Sequence, residues 1–239
     1  MEAYFNQAII LSGGRGERLR PLTSDRPKPM IELFGYPLLY YILRWLKKSG
    51  FKKVIIACGY KHEVISSYFG NGTNIELDIT YSVEEKPLGR GGAIKLASQQ
   101  LENQGAPVLV INGDVITSLE LSDLLMSHRS KAAPVTIVTV PLRSPYGIVE
   151  INENDLAVEF KEKPVLPYWI NAGIYVINGS VLSLFPDHGD HEETLFPTLS
   201  KKGQLHAYRF TGFWRTIDTI KDFEDVRRTQ TGNLELFST

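Results

Sequence analysis

Gln7-Ala8-Ile9-Ile10-Leu11-Ser12-Gly13-Gly14-Arg15-Gly16-Glu17-Arg18-Leu19 is the stretch on which the reading of this chain turns. A short apolar run, Gln7–Leu11, breaks directly into a glycine-rich turn, the pattern of a first buried strand feeding a loop. Glycines at 13, 14 and 16 allow a tight turn and let backbone N–H groups come up against an anion. The residues after the turn exclude two familiar phosphate loops. No Gly-Lys-Ser/Thr stands at the Walker A spacing, and the third glycine of the dinucleotide fingerprint is replaced by Leu19. Arg18, Arg20, Arg26 and Lys28 crowd beside the loop, while Pro21, Pro27 and Pro29 keep that segment stiff and non-helical. A rigid, basic, glycine-rich loop suits a polyphosphate.

Outward from the loop, strand-like runs recur at Lys53–Cys58, 77–81, 108–111 and 135–140. Between them lie helical patterns. In 38–49 the apolar residues Leu38, Ile42, Trp45 and Leu46 fall at helical spacing, and Gly50 sits where a C-terminal cap belongs. His62–Phe69, 91–102 and 119–128 read as the next helices. This alternation predicts an α/β fold, a Rossmann-like doubly wound sheet with helices on both faces. After Pro141 the rhythm changes. Segments 146–151 and 156–161 read as strands joined by a turn at Asn152-Glu153-Asn154-Asp155, 169–177 as another strand, and 219–229 as a helix. The expected sheet is therefore mixed and mostly parallel, with antiparallel additions in the second half. No linker or internal repeat divides the chain, so 1–239 reads as a single domain. No hexapeptide repeat comes after Thr229, so no C-terminal β-helix domain is expected.

Composition narrows the function classes. With 43% hydrophobic and 22% charged residues among 239, the chain can bury a substantial core. A formal net charge of -1 gives no global field for nucleic acid or an anionic membrane. The single cysteine, Cys58, sits in an apolar run and reads as a buried small hydrophobe. The N-terminus lacks a basic region followed by an apolar stretch, and no run approaches the roughly 20 residues that span a bilayer, so a cytoplasmic location is expected. His188-Gly189-Asp190-His191-Glu192-Glu193 looks like a metal cluster but comes after Pro186 and reads as a solvated polar loop.

Gly13-Gly14-Arg15-Gly16-Glu17-Arg18-Leu19-Arg20-Pro21-Leu22-Thr23, and then Arg26-Pro27-Lys28-Pro29-Met30, resembles the signature of the sugar-1-phosphate nucleotidyltransferases. The resemblance continues in order through Pro87-Leu88-Gly89, Gly91-Gly92-Ala93, Asn112-Gly113-Asp114, Tyr146-Gly147, Glu162-Lys163-Pro164 and Asn171-Ala172-Gly173-Ile174-Tyr175-Val176. It implies transfer of a nucleoside monophosphate from a nucleoside triphosphate to a sugar 1-phosphate, with release of pyrophosphate. The attacking phosphate oxygen is already anionic near neutral pH, so charge neutralisation and alignment matter more than an activated side-chain nucleophile.

By the same resemblance, Leu11, Ser12, Gly13, Gly14 and Gly16 form the nucleotide loop, and Arg18 and Lys28 hold the triphosphate. Lys163 holds the sugar phosphate, Glu162 accepts from sugar hydroxyls, and Gly147 and Asn171 line the sugar pocket. Tyr168 and Trp169 read either as rings stacking on the sugar or as aromatic filling of a sheet face. The implied cofactor is Mg2+, which favours carboxylates, phosphates and water, with Asp114 as one ligand. The second departs from the commonest family pattern: Trp214-Arg215-Thr216-Ile217-Asp218-Thr219 puts Thr216 where an Asp is usual, and Asp218 two residues later, as the glucose-1-phosphate cytidylyltransferase branch does. Asp218 is assigned as the ligand, with capping of the adjoining helix as its other reading.

Glu85 and Gly89 should lie against the nucleobase. Glu84-Glu85-Lys86-Pro87-Leu88-Gly89 resembles the guanylyltransferases for mannose 1-phosphate and D-glycero-D-manno-heptose 1-phosphate, and a carboxylate can accept from guanine N1–H and N2–H. The reading leans to GTP. Cytidylyl, uridylyl or thymidylyl transfer to glucose 1-phosphate or another phosphate acceptor is one alternative, and a non-catalytic nucleotide-sugar-binding subunit is another. Nucleic acid and membrane are not expected partners, and homo-oligomerisation is left open.

Overall fold

The central sheet carries strands β1 (Gln7–Leu11), β2 (Lys53–Cys58), β3 (Asp78–Val83), β4 (Val108–Asn112), β5 (Val135–Arg143), β6 (Val165–Ile177) and β7 (Leu205–Arg209). In this computed structural model, which describes residues 6–131 and 133–228, they lie in the order β7-β5-β6-β4-β1-β2-β3. β1 pairs parallel with β2 and β4, β2 with β3, and β5 with β7. β6 alone runs against its neighbours β4 and β5. The mostly parallel sheet stands as expected, but its antiparallel content is one long interior strand. The pair Ile148–Ile151 and Ala157–Lys161 forms a separate exposed hairpin, closed by the Asn152 side chain accepting from the Asn154 and Leu156 backbone N–H groups.

Helices cover both faces. Alternate residues of β1 go opposite ways: Ala8 and Ile10 pack with α1 (Leu38–Lys48), α2 (His62–Phe69) and α4 (Leu121–Ser130), while Ile9 packs with α3 (Gly89–Ser98), α5 (Gly179–Leu182) and α6 (Leu195–Lys201). Burial on both faces is what a parallel strand needs, and it explains the unbroken apolar runs. α1 presents Leu39, Ile42, Leu43 and Leu46 to the core, each worth about 1.5–3 kcal/mol of burial. A third cluster joins Leu19, Ile31, Leu33 and Leu38 to Ile116, Ile217 and to Phe223 and Val226 of α7 (Ile220–Arg228), so the segment after the glycine-rich loop is anchored to the C-terminal helix.

Two expectations shift. The helix read at 91–102 begins at Gly89 and ends at Ser98; beyond it the bonds Gln100 N to Ala97 O and Leu101 N to Ser98 O tighten into single turns. β7 and α6 were not anticipated, because Leu205-His206-Ala207-Tyr208-Arg209 is too polar to read as a strand away from its partner β5. Among the described residues no helix is long and apolar enough to cross a membrane.

Successive strands depart from β1 in opposite directions, β2 to one side and β4 to the other. Parallel sheets place their binding crevice at such a reversal, beyond the carboxyl ends of the strands. Here those ends carry Ser12-Gly13-Gly14 and Gly113-Asp114.

Candidate functional site

The crevice is a cleft of about 640 Å³ lined by Leu11, Ser12, Gly13 and Gly14 of the glycine-rich loop, by Lys28, Asn112, Asp114 and Asp218, and by Glu84, Pro87, Gly89 and Arg90. Gly16 explains how Lys28 enters it. Its φ is 63°, and a Cβ there would stand 3.0 Å from both Lys28 Cβ and Thr23 Cγ2. Only glycine allows the short helix Lys28–Met30 to pack this closely beneath the loop. The Thr23 hydroxyl holds the turn by donating to the Gly16 carbonyl at 2.8 Å.

The two aspartates meet through strand pairing. Val115–Thr117 runs antiparallel to Trp214–Thr216, with Thr216 opposite Val115, and Ile217 N donates to the Asp114 carbonyl at 3.2 Å. This register sets Asp218 beside Asp114. Helix α7 is capped by its own residues: Thr219 Oγ1 accepts from Asp222 N at 3.2 Å, and the Asp222 carboxylate accepts from Thr219 N at 2.8 Å and from Asp218 N. That is a capping box. The Asp218 carboxylate is thus released from capping and faces the cleft.

Lys28 Nζ donates to both carboxylates, to Asp218 at 2.8 Å and to Asp114 in a very short contact, while Arg18 reaches Asp218 at 3.0 Å. Burial pushes the Asp218 carboxyl up. The Lys28 hydrogen bond and charge, the Arg18 charge and the Thr216 hydroxyl more than offset it, so the group lies below the usual carboxylate range. Ser12 Oγ, Asn112 Oδ1 and Asp114 Oδ1 are buried at the cleft wall without a hydrogen-bond partner. Such atoms are costly unless something in the cleft satisfies them. Two carboxylates around one cation, one with an unsatisfied oxygen, fit a hard divalent ion that completes its shell with phosphate and water. Among the described residues no group of three or more His, Cys, Asp or Glu could cage a metal.

The cleft offers charge rather than a nucleophile. Burial, and next the nearby Glu84 charge, push the Cys58 thiol up to about 12, so it stays protonated. No histidine lines the walls among the described residues.

At the other end, Glu84 rather than Glu85 faces inward. Ser82 is buried, Val83 exposed, Glu84 half-buried and Glu85 exposed, the alternation of β3 carried past its end. Glu84 accepts from Leu88 N at 3.0 Å and lines the cleft; Glu85 does not. Period-two register from Ser82 could have selected it. Gly89 stands in the lining as expected, together with Arg90 and Asp190, which were not foreseen.

Gly147, Glu162 and Lys163 gather at the foot of the exposed hairpin, outside the cleft lining. Glu162 Oε2 lies against Gly147, Lys163 stands 3.5 Å from Glu162, and both side chains are exposed. Tyr168 and Trp169 are exposed too, with Arg209 over the Trp169 ring. Asn171 connects back to the cleft: its Nδ2 donates to Glu192 at 2.6 Å and to the Tyr175 hydroxyl at 2.8 Å, and Glu192 pairs with Arg90 at 2.6 Å. The segment holding Glu192 is not the solvated loop expected. His191 is fully buried among Tyr175, Phe185 and Phe196, and burial pushes its imidazole down to about 4.

Residues 7–232 match the family described as Nucleotidyl transferase. Mannose-1-phosphate guanylyltransferase of Mycobacterium tuberculosis (strain ATCC 25618 / H37Rv) is 38% identical over 224 residues, covering 90% of this chain and 62% of that protein. The chain therefore spans less than two thirds of that relative's length. Among solved structures, a putative glucose-1-phosphate thymidylyltransferase from Bacillus anthracis in complex with a sucrose superposes with a TM-score of 0.77 at 22% identity, covering 95% of this chain and 96% of that one. HddC from Yersinia pseudotuberculosis, complexed with GMP-PN, superposes with a TM-score of 0.75 at 26% identity, covering 93% and 98%.

Proposed function

The chain belongs to the nucleotidyl transferase family, and from that premise we propose that it transfers a guanylyl group from GTP to a mannose-type sugar 1-phosphate, releasing pyrophosphate. One observation carries this reading: Lys28 bridges Asp114 and Asp218 at the mouth of the glycine-rich loop, with Arg18 beside them. That cluster balances opposite charges at the place where two phosphate-bearing substrates must be aligned. The mannosyl and guanylyl specificity rests on the name of the Mycobacterium tuberculosis relative and on the GMP-PN complex of HddC.

The loop of Ser12, Gly13, Gly14 and Gly16 presents backbone to the triphosphate, and Arg18 and Lys28 supply charge. Asp114 and Asp218 would hold Mg2+, which when bound neutralises charge on the phosphates. The acceptor phosphate needs no deprotonation, since its second pKa is about 6. Its alignment for in-line attack falls to Lys163, with Glu162, Gly147 and Asn171 on the sugar. Glu84, bonded to the Leu88 backbone, orders the loop against the base. Catalysis in this scheme is positioning and electrostatics.

Pyrophosphate release is the test, screened with five nucleoside triphosphates against a panel of sugar 1-phosphates with Mg2+. The expected strongest pair is GTP with mannose 1-phosphate. A clear preference for another base overturns the guanylyl assignment, and no pyrophosphate with any pair favours a nucleotide-sugar-binding subunit.

A further inference from the structure

The segment 187–192 lies across the base loop and grips it. Gly189 N donates to Leu88 O at 2.7 Å, and Gly91 N donates to Gly189 O at 2.9 Å. A Cβ at Gly89 would stand 2.8 Å from the Gly189 carbonyl, and one at Gly92 2.5 Å from Asp187 O, so backbone meets backbone with no room between. Arg90 fastens the contact. Its backbone N–H donates to Asp190 at 2.9 Å, and its guanidinium bonds Asp190 at 2.7 Å and Glu192 at 2.6 Å. Fork geometry of this kind fixes orientation as well as charge. Glu192 then accepts from Asn171 Nδ2 and the Tyr175 hydroxyl, both on β6, and Tyr175 is fully buried. An unbroken series of polar contacts thus runs from Leu88 and Arg90, at the base end of the cleft, to Asn171. No residue of this series other than Asn171 has a role in the motif reading.

We propose that Arg90 is a positioning residue which, through Asp190 and Glu192, locks the nucleobase loop and Asn171 into one frame, so that binding of the nucleoside triphosphate and of the sugar 1-phosphate are positively coupled. This rests on the reading of the cleft as a donor site and of Asn171 as an acceptor residue. Ordering the base loop on the nucleotide orders Glu192, and Glu192 orders the Asn171 amide. The second substrate then meets a side chain already fixed, and by linkage each substrate tightens the other by the same factor.

The test measures the dissociation constant of mannose 1-phosphate by calorimetry, with and without saturating α,β-methylene-GTP and Mg2+, which binds without transfer. Wild type is expected to bind the sugar phosphate about 5-fold or more tightly with the nucleotide present, within the usual range of coupling energies. Arg90→Ala and Glu192→Gln should each bring the factor close to 1, their combination should lose no more than either alone, and Arg90→Lys should restore part. Glu192→Gln, whose side chain stands outside the cleft lining, should leave nucleotide affinity on its own within about 3-fold. A purely structural Arg90 would lower thermal stability and leave the coupling factor at its wild-type value, which overturns the proposal. So does multiplication of the effects in the double variant, or a factor of 1 in wild type. If wild type binds no α,β-methylene-GTP at all, the donor-site reading itself falls, an outcome distinct from normal nucleotide binding without coupling.

Discussion

At the residue scale, the arrangement turns on one ammonium held between two carboxylates. Lys28 is largely enclosed, with 12% of its side chain exposed against 20% for Asp114. In that setting the identity of each partner matters more than its size. Asp114→Asn keeps the shape and one acceptor but removes the charge that would hold a divalent ion. It is expected to lower kcat by about 100-fold or more while shifting the melting temperature by only a few degrees. Measured turnover with melting curves on the same preparation checks this, and wild-type turnover would remove the metal assignment. Asp218→Ala should be far more damaging than Thr216→Ala. Asp218 touches Lys28 and Arg18 directly, whereas the Thr216 side chain carries no charge and its hydroxyl supports Asp218. The reverse order in steady-state kinetics would mean that the C-terminal motif had been aligned wrongly. Most of these residues were legible because charged types sit in motifs. Glu84 was not, because adjacent glutamates differ only in the face of the strand they extend.

At the element scale, the site is assembled by a short strand pairing and a helix start. Trp214–Thr216 against Val115–Thr117 sets the aspartates together, and the capping box of Thr219 and Asp222 fixes where α7 begins. Thr219→Ala is expected to cost about 1 kcal/mol of stability. It should also reduce activity more than a cap change on a remote helix of similar cost, since Asp218 precedes it directly. Denaturant unfolding with kinetics on the variant checks both, and unchanged activity with lowered stability would separate the cap from the site. None of this pairing could be read from the chain alone, because segments of three residues carry no periodicity of their own. The parallel strands were legible because burial on both faces forces continuous apolar runs. The base loop and segment 187–192 were not, since their contact is partly backbone to backbone and its ion pairs, from Arg90 to Asp190 and Glu192, join residues about 100 positions apart.

At the scale of the whole molecule, the sheet reverses its winding at β1 and β4, and the cleft opens there. The same packing buries His191, whose ring nitrogens have no hydrogen-bond partner. Burial pushes its folded imidazole down to about 4 from an ordinary 6.5. As pH falls through 6.5 the unfolded chain takes up that proton first. Stability attributable to this group is therefore constant above 6.5 and declines from there towards 4, by up to roughly 3 kcal/mol. His191→Phe should flatten that part of the stability profile relative to wild type, as read by denaturant unfolding across the window; parallel profiles would show that His191 is not the group responsible.

The central claim is that this cleft moves a guanylyl group, and it is tested most directly with GTP labelled at its α-phosphate. With mannose 1-phosphate and Mg2+, the label is expected to appear in the nucleotide sugar and the released pyrophosphate to carry none, with both products lost in Asp114→Asn. Label recovered only as free nucleotide, or product formation that survives Asp114→Asn, would contradict it.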